Sequence, residues 1–390
     1  MIKSEFVKNQ EMFLLTDSRQ RSNSYYMRIC FIGPVNSSHI VKWVTWFSNH
    51  GHEVHVISFE EGHILGAKVH SIDVGVKATD NDIKKLKYLF AAKKVKELID
   101  YLKPDIINAH YATSYGIVTA LSGVKKYILS VWGSDVYDFP QKSFLHKTLL
   151  KCSLKNASYL FSTSQAMADE ASKYTDKKFE ITPFGVDVNL FNPDKRTRIT
   201  QDDSLVIGTV KGLSDKYGIS YLLHATAEIK NQGIIPIKLR IAGKGPQEQE
   251  YKQLAKELGI SDITTWLGFI SQEQAAQEWA NMDVAIVPST LESESFGVSA
   301  VEAQACGTPV IISDIPGLME ATKPGETSVV VKRKDSHAIA EAINELYKDA
   351  EKRKKMAQRS VIFVRKTYEL DFCFEKIEKL YEKLICKSRC

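Results

Sequence analysis

The 390-residue chain has no uninterrupted apolar run of 18 or more residues, which excludes a helix that crosses a bilayer. Its first residues mix charge and polarity without an apolar leader, so no secretory signal is read and a cytoplasmic protein is expected. Cysteine is sparse: Cys30, Cys152, Cys306, Cys373, Cys386 and Cys390 are widely scattered and form no C-x-x-C, which argues for reduced thiols over a disulfide frame or a zinc site. The single D-x-D, Asp80-Asn81-Asp82, stands ahead of a helical segment and fits capping, and no His, Cys and carboxylate set has metal-site spacing, so no metal is expected. No G-x-G-x-x-G follows the first strand, which argues against a dinucleotide-binding oxidoreductase. The net charge of +5 is mild, and with none of the common nucleic-acid-binding signatures no nucleic-acid partner is expected.

What is present is an ordinary globular composition in a chain too long for one core, and two domains are the natural expectation. Residues 1–26 are polar and lack periodicity, so they read as a flexible extension. From Met27 strand and helix alternate: a strand to Gly33, a helix over 40–49, a strand over 53–58, a helix over 82–102, and strand ends at His110, Asp135, Ser164 and Asp187. The polar stretch 192–204 reads as a linker between a first domain over 27–191 and a second over 205–365. The second begins with the strand 205–210, followed by Lys211 and Lys216, with further strand ends at Pro246 and Ile270. A last domain helix is expected over 335–348, then a Lys/Glu-rich helical tail over 349–387 with Phe363, Tyr368, Phe372, Ile377, Leu380 and Leu384 for packing. Helix 82–102 carries Lys84, Lys85, Lys87, Lys93, Lys94 and Lys96; such a face lies on an anionic membrane or covers the sheet as a solvated exterior.

The richest stretch runs from Val287 to Gly317 and reads strand, loop, helix, strand, a parallel crossover. Free N–H groups at a helix start attract anions, so the amides of Ser295, Phe296, Gly297 and Val298 suit a phosphate. Glu294 and Glu302, eight apart, flank that position. A carboxylate repels phosphate and accepts from hydroxyls, so the pair suits the hydroxyls of ribose and hexose. Anion and hydroxyl sites side by side suggest a nucleotide sugar.

The spacing E-x7-E set in P-S-x4-E-S-F-G-x4-E-A-x-A-x-G-T-P-V-I resembles the signature of the retaining GT-B glycosyltransferases of family 4, glycosyl transferases group 1. The resemblance covers 27–387 and implies an α/β fold: two Rossmann-like doubly wound domains facing a cleft, with a C-terminal helix (366–390) returning to the first domain. It further implies Glu294 at the transferred sugar, Glu302 on the ribose, His110 as a hydrogen-bonding partner of the sugar, Gly33 near the donor phosphate, Lys211 and Lys216 on the diphosphate, and backbone contacts from Ile270 to the base. Gly212 stands where the family carries an arginine, Trp132 where it carries a histidine in H-G-x-D, and Gly33 where it often carries two glycines. The expected activity is metal-independent hexosyl transfer from a nucleotide diphosphate sugar, without a cofactor, to a glycan or lipid-linked acceptor of surface glycan synthesis, with peripheral contact at the inner membrane face. A nucleotide-sugar epimerase and a catalytically silent nucleotide-sugar binding protein on the same fold remain the alternatives.

Overall fold

In the computed structural model the residues described are 26–75, 87, 90–197, 204–233 and 235–389. The first half builds a seven-stranded parallel sheet of β1 (Arg28–Ile32), β2 (Glu53–Ser58), β3 (Ala67–Ser71), β4 (Ile106–His110), β5 (Ile128–Val131), β6 (Tyr159–Ser162) and β7 (Phe179–Ile181), in the order 3-2-1-4-5-6-7. The second half builds a six-stranded parallel sheet of β8 (Leu205–Val210), β9 (Ile237–Ala242), β10 (Thr264–Gly268), β11 (Val284–Val287), β12 (Val310–Ser313) and β13 (Ser328–Val331), in the order 10-9-8-11-12-13. Both are doubly wound. Their strands read as near-continuous apolar runs because helices cover both faces: Ile29 and Phe31 of β1 enter one core, Cys30 and Ile32 the other. In each sheet the winding reverses beside its first strand, between β1 and β4 and between β8 and β11, and the crevice beyond the carboxyl ends there is where such sheets hold ligands.

The expected helix over 40–49 runs Ser38–Asn49, its start fixed by Ser37, whose hydroxyl accepts from the His39 N–H. Of the expected helix over 82–102 the described residues show Ala91–Leu102, which ends at Lys103 in the left-handed conformation; 82–86, 88 and 89 lie outside the described residues. Lys84, Lys85 and Asp80-Asn81-Asp82 lie outside the described residues, as do residues 1–25 of the N-terminal stretch. Strand β3 was not read from the sequence. Its alternation of part-buried and exposed residues carries little apolar signal. Within 192–204, Arg196 pairs with Asp283 (3.0 Å) and the Thr197 N–H donates to Asn281 Oδ1 (2.9 Å), so this part packs on the second half; 198–203 lie outside the described residues.

The helical tail is two helices, Ala350–Thr367 and Leu370–Arg389, broken where the chain crosses back to the first half. At the crossing Val186 N–H donates to Tyr368 O (2.7 Å) and Leu370 N–H to Val186 O (3.0 Å), and Gly185, at φ +65°, leaves no room for a Cβ, which would sit 2.9 Å from Leu370 Cα. The last helix buries Phe374, Ile377 and Tyr381 against Phe31, Phe47 and Phe161, and the Tyr381 hydroxyl accepts from Asn108 Nδ2 (2.7 Å). Each large apolar side chain so buried contributes about 1.5–3 kcal/mol. Phe372, expected in this packing, faces solvent with Lys376 over its ring.

Candidate active site in the cleft

Every strand end at the two winding reversals bears a residue singled out above. Gly33 follows β1, His110 closes β4, Lys211 follows β8, and the 288–297 loop follows β11. Gly33 is needed for space: a Cβ there would lie 2.7 Å from Ile40 Cδ1 and 3.3 Å from His110 Cβ. Its N–H donates to Ile57 O (3.0 Å) and continues the ladder, so what it offers a phosphate is close approach and not a free donor. His110 is fully buried, its ring 4.8 Å from Trp43, 5.5 Å from Phe31 and 5.7 Å from Trp132. Burial, helped by nearby His39, pushes its pKa down to about 3, so the imidazole is neutral. Among the described residues neither ring nitrogen has a hydrogen-bond partner, and the same holds for the buried hydroxyls of Ser289 and Ser293 across the cleft. A buried polar group left unpaired costs about 1–3 kcal/mol, and such groups mark where a ligand supplies the missing partner.

The second half supplies the charge. Lys211 Nζ and Glu294 Oε1 lie 2.8 Å apart, their side chains only 10% and 8% exposed. The Lys211 ammonium also sits 4.7 Å from the centre of the Tyr217 ring, and Lys216 reaches the same ring at 5.6 Å while donating to Ser293 O (2.9 Å). Burial lowers the Lys216 pKa, the Glu294 carboxylate pulls it back up, and Lys211 adds to the lowering. Tyr217 also explains Gly212: a Cβ at 212 would meet its Cε2 at 3.0 Å, so the ring occupies the place a longer side chain would take. Thr290 ties the two loops together, its N–H donating to Lys216 O (2.8 Å).

Gly297 enters the helix Val298–Ala305 at φ +73°. Among the described residues no protein acceptor receives the backbone N–H of Ser295, Phe296, Gly297 or Val298, so four donors stand open at the helix start. The side chains of Ser295 and Phe296 serve otherwise. Ser295 Oγ donates to Trp132 O (2.9 Å), its carbonyl accepts from Ser164 Oγ (2.6 Å), and Phe296 packs on Phe184 and Tyr368, all contacts that hold the halves together. Glu320 does likewise, accepting from the N–H groups of Gln165 and Ala166 at the start of helix Gln165–Ala171. Gly317 underlies the loop where a Cβ would stand 2.4 Å from the Ser295 carbonyl. Glu302 lies one helical turn deeper; burial raises its pKa, and Lys42 of the first half offsets part of the rise. Ile270 packs in the same core as Val210 and Val298, beside this site.

Three cleft residues escaped the sequence reading. His39 stacks on Phe184 (4.0 Å between centres) and meets Trp132 edge-on; burial, Lys42 and Lys211 lower its pKa to about 4. Lys42, one turn along the same helix, donates to Gly185 O (2.9 Å). Tyr217 is the third. The i, i+3 placement of His39 and Lys42 just after the glycine turn was the available signal. Among the described residues no three His, Cys, Asp or Glu side chains converge as metal ligands, and no helix is long and apolar enough to cross a membrane.

Solved structures of the same architecture identify the fold as GT-B. Sucrose-phosphate synthase from Thermosynechococcus elongatus superposes with TM-score 0.79 at 20% identity over 92% of this chain and 99% of that one. The Anabaena HepE protein in complex with UDP gives 0.77 at 19% over 92% and 100%. Residues 192–361 match the family model of glycosyl transferases group 1, and residues 28–164 match that of glycosyl transferase 4-like proteins. The chain belongs to the group 1 glycosyltransferases. A D-inositol 3-phosphate glycosyltransferase of Stackebrandtia nassauensis is 34% identical over 46% of this chain and 43% of its own length, and an uncharacterized glycosyltransferase of Methanocaldococcus jannaschii is 33% identical over 43% of each. The chain thus spans less than half the length of these curated relatives in alignment. An N-acetyl-alpha-D-glucosaminyl L-malate synthase of Bacillus anthracis is 24% identical over 86% of this chain and 89% of its own.

Proposed function

We propose that the protein transfers a hexose-type sugar from a nucleotide diphosphate sugar to an acceptor hydroxyl, with retention of configuration and without a metal. The observation that carries this reading is the meeting, at two winding reversals, of open amides at 295–298, Lys211 and Lys216 with the carboxylates Glu294 and Glu302. The amides and Lys216 take the diphosphate. Glu302 accepts from the ribose, Glu294 accepts from the transferred sugar, and the neutral His110 pairs with a sugar hydroxyl. The bond from the sugar's anomeric carbon to the leaving phosphate oxygen breaks while the acceptor oxygen attaches on the same face. A phosphate oxygen takes the acceptor's proton. Each charge-assisted hydrogen bond to the leaving group contributes about 1.5–3 kcal/mol.

The test is a product assay with a panel of nucleotide sugars and candidate acceptors. Nucleoside diphosphate released only with acceptor means transfer. Interconversion of the sugar on an intact donor means epimerisation, and binding without turnover means a sensor; either replaces this reading.

The acceptor we propose is lipid-linked or part of a growing surface glycan, reached from an anionic membrane. Lys87, Lys93, Lys94 and Lys96 stand beside Phe90 and Tyr101, which are 83% and 81% exposed. Helix Phe144–Asn156, which like Ala91–Leu102 packs on Ser114–Leu121, exposes Phe144 and Leu145 close in sequence to Lys147 and Lys151. Aromatic tips among lysines suit an anionic bilayer surface, each lysine contributing roughly 1 kcal/mol, less for Lys93 and Lys96, which pair with Glu97 and Asp100. Salt-sensitive co-sedimentation with anionic but not neutral vesicles is expected, and absence from both pellets would return the face to solvent.

A further inference from the structure

Tyr217 is where the two cleft lysines of the second half meet. Lys211 is fixed as the continuation of β8: its N–H donates to Ala242 O (2.9 Å), and the Leu213 N–H to Lys244 O (3.1 Å). The tight turn Asp215–Tyr217 then folds the chain back, and Gly218, at φ +65°, seats it on the 288–297 loop, where a Cβ would stand 2.0 Å from Pro288 O. Thr290 secures the turn from that loop, its hydroxyl donating to Asp215 O (2.9 Å) and its N–H to Lys216 O (2.8 Å). The Tyr217 ring therefore lies beside Gly212, with the Lys211 ammonium 4.7 Å and the Lys216 ammonium 5.6 Å from its centre. Each ammonium also has one oxygen partner in the loop that leads to the open amides: Glu294 Oε1 for Lys211 (2.8 Å) and Ser293 O for Lys216 (2.9 Å). Two like charges so placed repel, and neither oxygen holds both. The ring does, because the negative face of an aromatic system attracts a cation within about 6 Å, and more strongly where water is partly excluded. An ammonium has three donors, so each lysine keeps donors for phosphate oxygens.

We propose that Tyr217 is a positioning residue for the donor: its ring holds the Lys211 and Lys216 ammoniums together beside the 293–298 loop, so that both are in place for the diphosphate before it binds. This rests on the nucleotide-sugar reading above. Glu294 can then turn from Lys211 to the sugar without setting the ammonium loose, because the ring keeps its place. Affinity is gained through this preorganisation, and the ring supplies it, not the hydroxyl.

The experiment titrates the full chain by calorimetry with UDP, GDP and ADP, as wild type, Tyr217→Phe, Tyr217→Leu, Lys216→Met and the double variant Tyr217→Leu/Lys216→Met. The wild type is expected to bind at least one of them. Tyr217→Leu should weaken that binding about tenfold, as loss of the ring beneath two partly desolvated ammoniums predicts, whereas Tyr217→Phe stays within about twofold of the wild type. In the Lys216→Met background the same Leu substitution should cost only about threefold, because one of its two cations is already gone. Wild-type binding that Tyr217→Leu leaves unchanged overturns the role of Tyr217 alone, as does a loss shared equally by Tyr217→Phe. A tenfold loss undiminished in the Lys216→Met background overturns the holding of both lysines by one ring. No binding of any diphosphate by the wild type overturns the nucleotide-sugar reading itself. Should Tyr217→Leu lower the melting temperature by more than a few degrees, Tyr217→Met, a flexible apolar chain without an aromatic face, replaces it under the same criteria.

Discussion

The two edges that face each other across the cleft are built from opposite materials. The edge of the first sheet is mainly aromatic: His110 lies among Phe31, Trp43 and Trp132, and His39 lies flat on Phe184, with Lys42 one turn along the helix. The edge of the second is charged: Lys211 on Glu294, Lys216 on Ser293 O, and open amides at 295–298. Ring faces and neutral imidazoles suit the apolar planes and hydroxyls of a sugar, and ammoniums and amides suit a diphosphate. On the proposed reading one architecture, used twice, divides the work by what it places at the reversal of winding.

The sharpest way to break this division is at Glu294. Glu294→Ala removes both the proposed sugar contact and the partner of a buried ammonium; turnover is expected to fall about 10²-fold through misplacement of the sugar, and stability by about 3–5 kcal/mol. Glu302→Ala, by contrast, should raise the donor Kd with little loss of stability. Measuring kcat, Kd and Tm for both variants checks this, and equal, near-wild-type values in both would sink the assignment.

Lys216→Met should weaken nucleoside diphosphate binding by about 10- to 100-fold, the loss of one charge-assisted bond to phosphate, as read by calorimetry. If the charged edge is irrelevant to the donor, affinity will not move.

The aromatic edge is open to acid. The folded pKa of His110, about 3, lies below the ordinary 6.5, so the unfolded chain takes up the proton first. Stability is therefore full above pH 6.5 and declines as pH falls from there towards about 3, with His39, at about 4, adding in the same sense. At pH 5 the loss through His110 is about 2 kcal/mol. Glu302, raised by burial, acts in the opposite sense at lower pH. His110→Gln should flatten the fall in Tm between pH 7 and 5; a slope equal to that of the wild type refutes the account. The smallest effect is expected from chelator: with lysines and amides carrying the cationic work, turnover in excess EDTA should match the untreated rate, and loss restored by Mg²⁺ or Mn²⁺ would contradict it.

Much of this was legible locally. Strand ends followed by Gly33, Lys211 and Pro288 stand in short segments whose period and turn residues name the element without reference to the rest of the chain. Glu294 and Glu302 can be named as candidates because loop and helix lie in one continuous stretch. Of the helix expected over 82–102 the described residues show Ala91–Leu102, and 82–86, 88 and 89 lie outside them. Phe372 was placed inside on its apolarity, whereas Phe374, two residues on, fills the core.

By itself, then, the sequence determined the alternation of strands and helices, the glycines at 33, 185, 297 and 317 on which close approaches depend, and the local capping by Ser37, Ser271 and Asp335. The alternation and the caps follow from interactions within a few residues, which a linear reading contains; what the glycines approach, as Gly185 does Leu370, does not. Only the tertiary structure decided that Lys211 meets Glu294, that Tyr217 takes the space beside Gly212, that Ser295 holds Trp132, and that His39 and Lys42 of the first half face the second. Most of these partners lie 80 or more residues apart, as the 83 between Lys211 and Glu294 and the 163 between Trp132 and Ser295 show. No period or turn signal spans such distances, and the pairs arise because two winding reversals and two chain crossings bring the strand ends face to face.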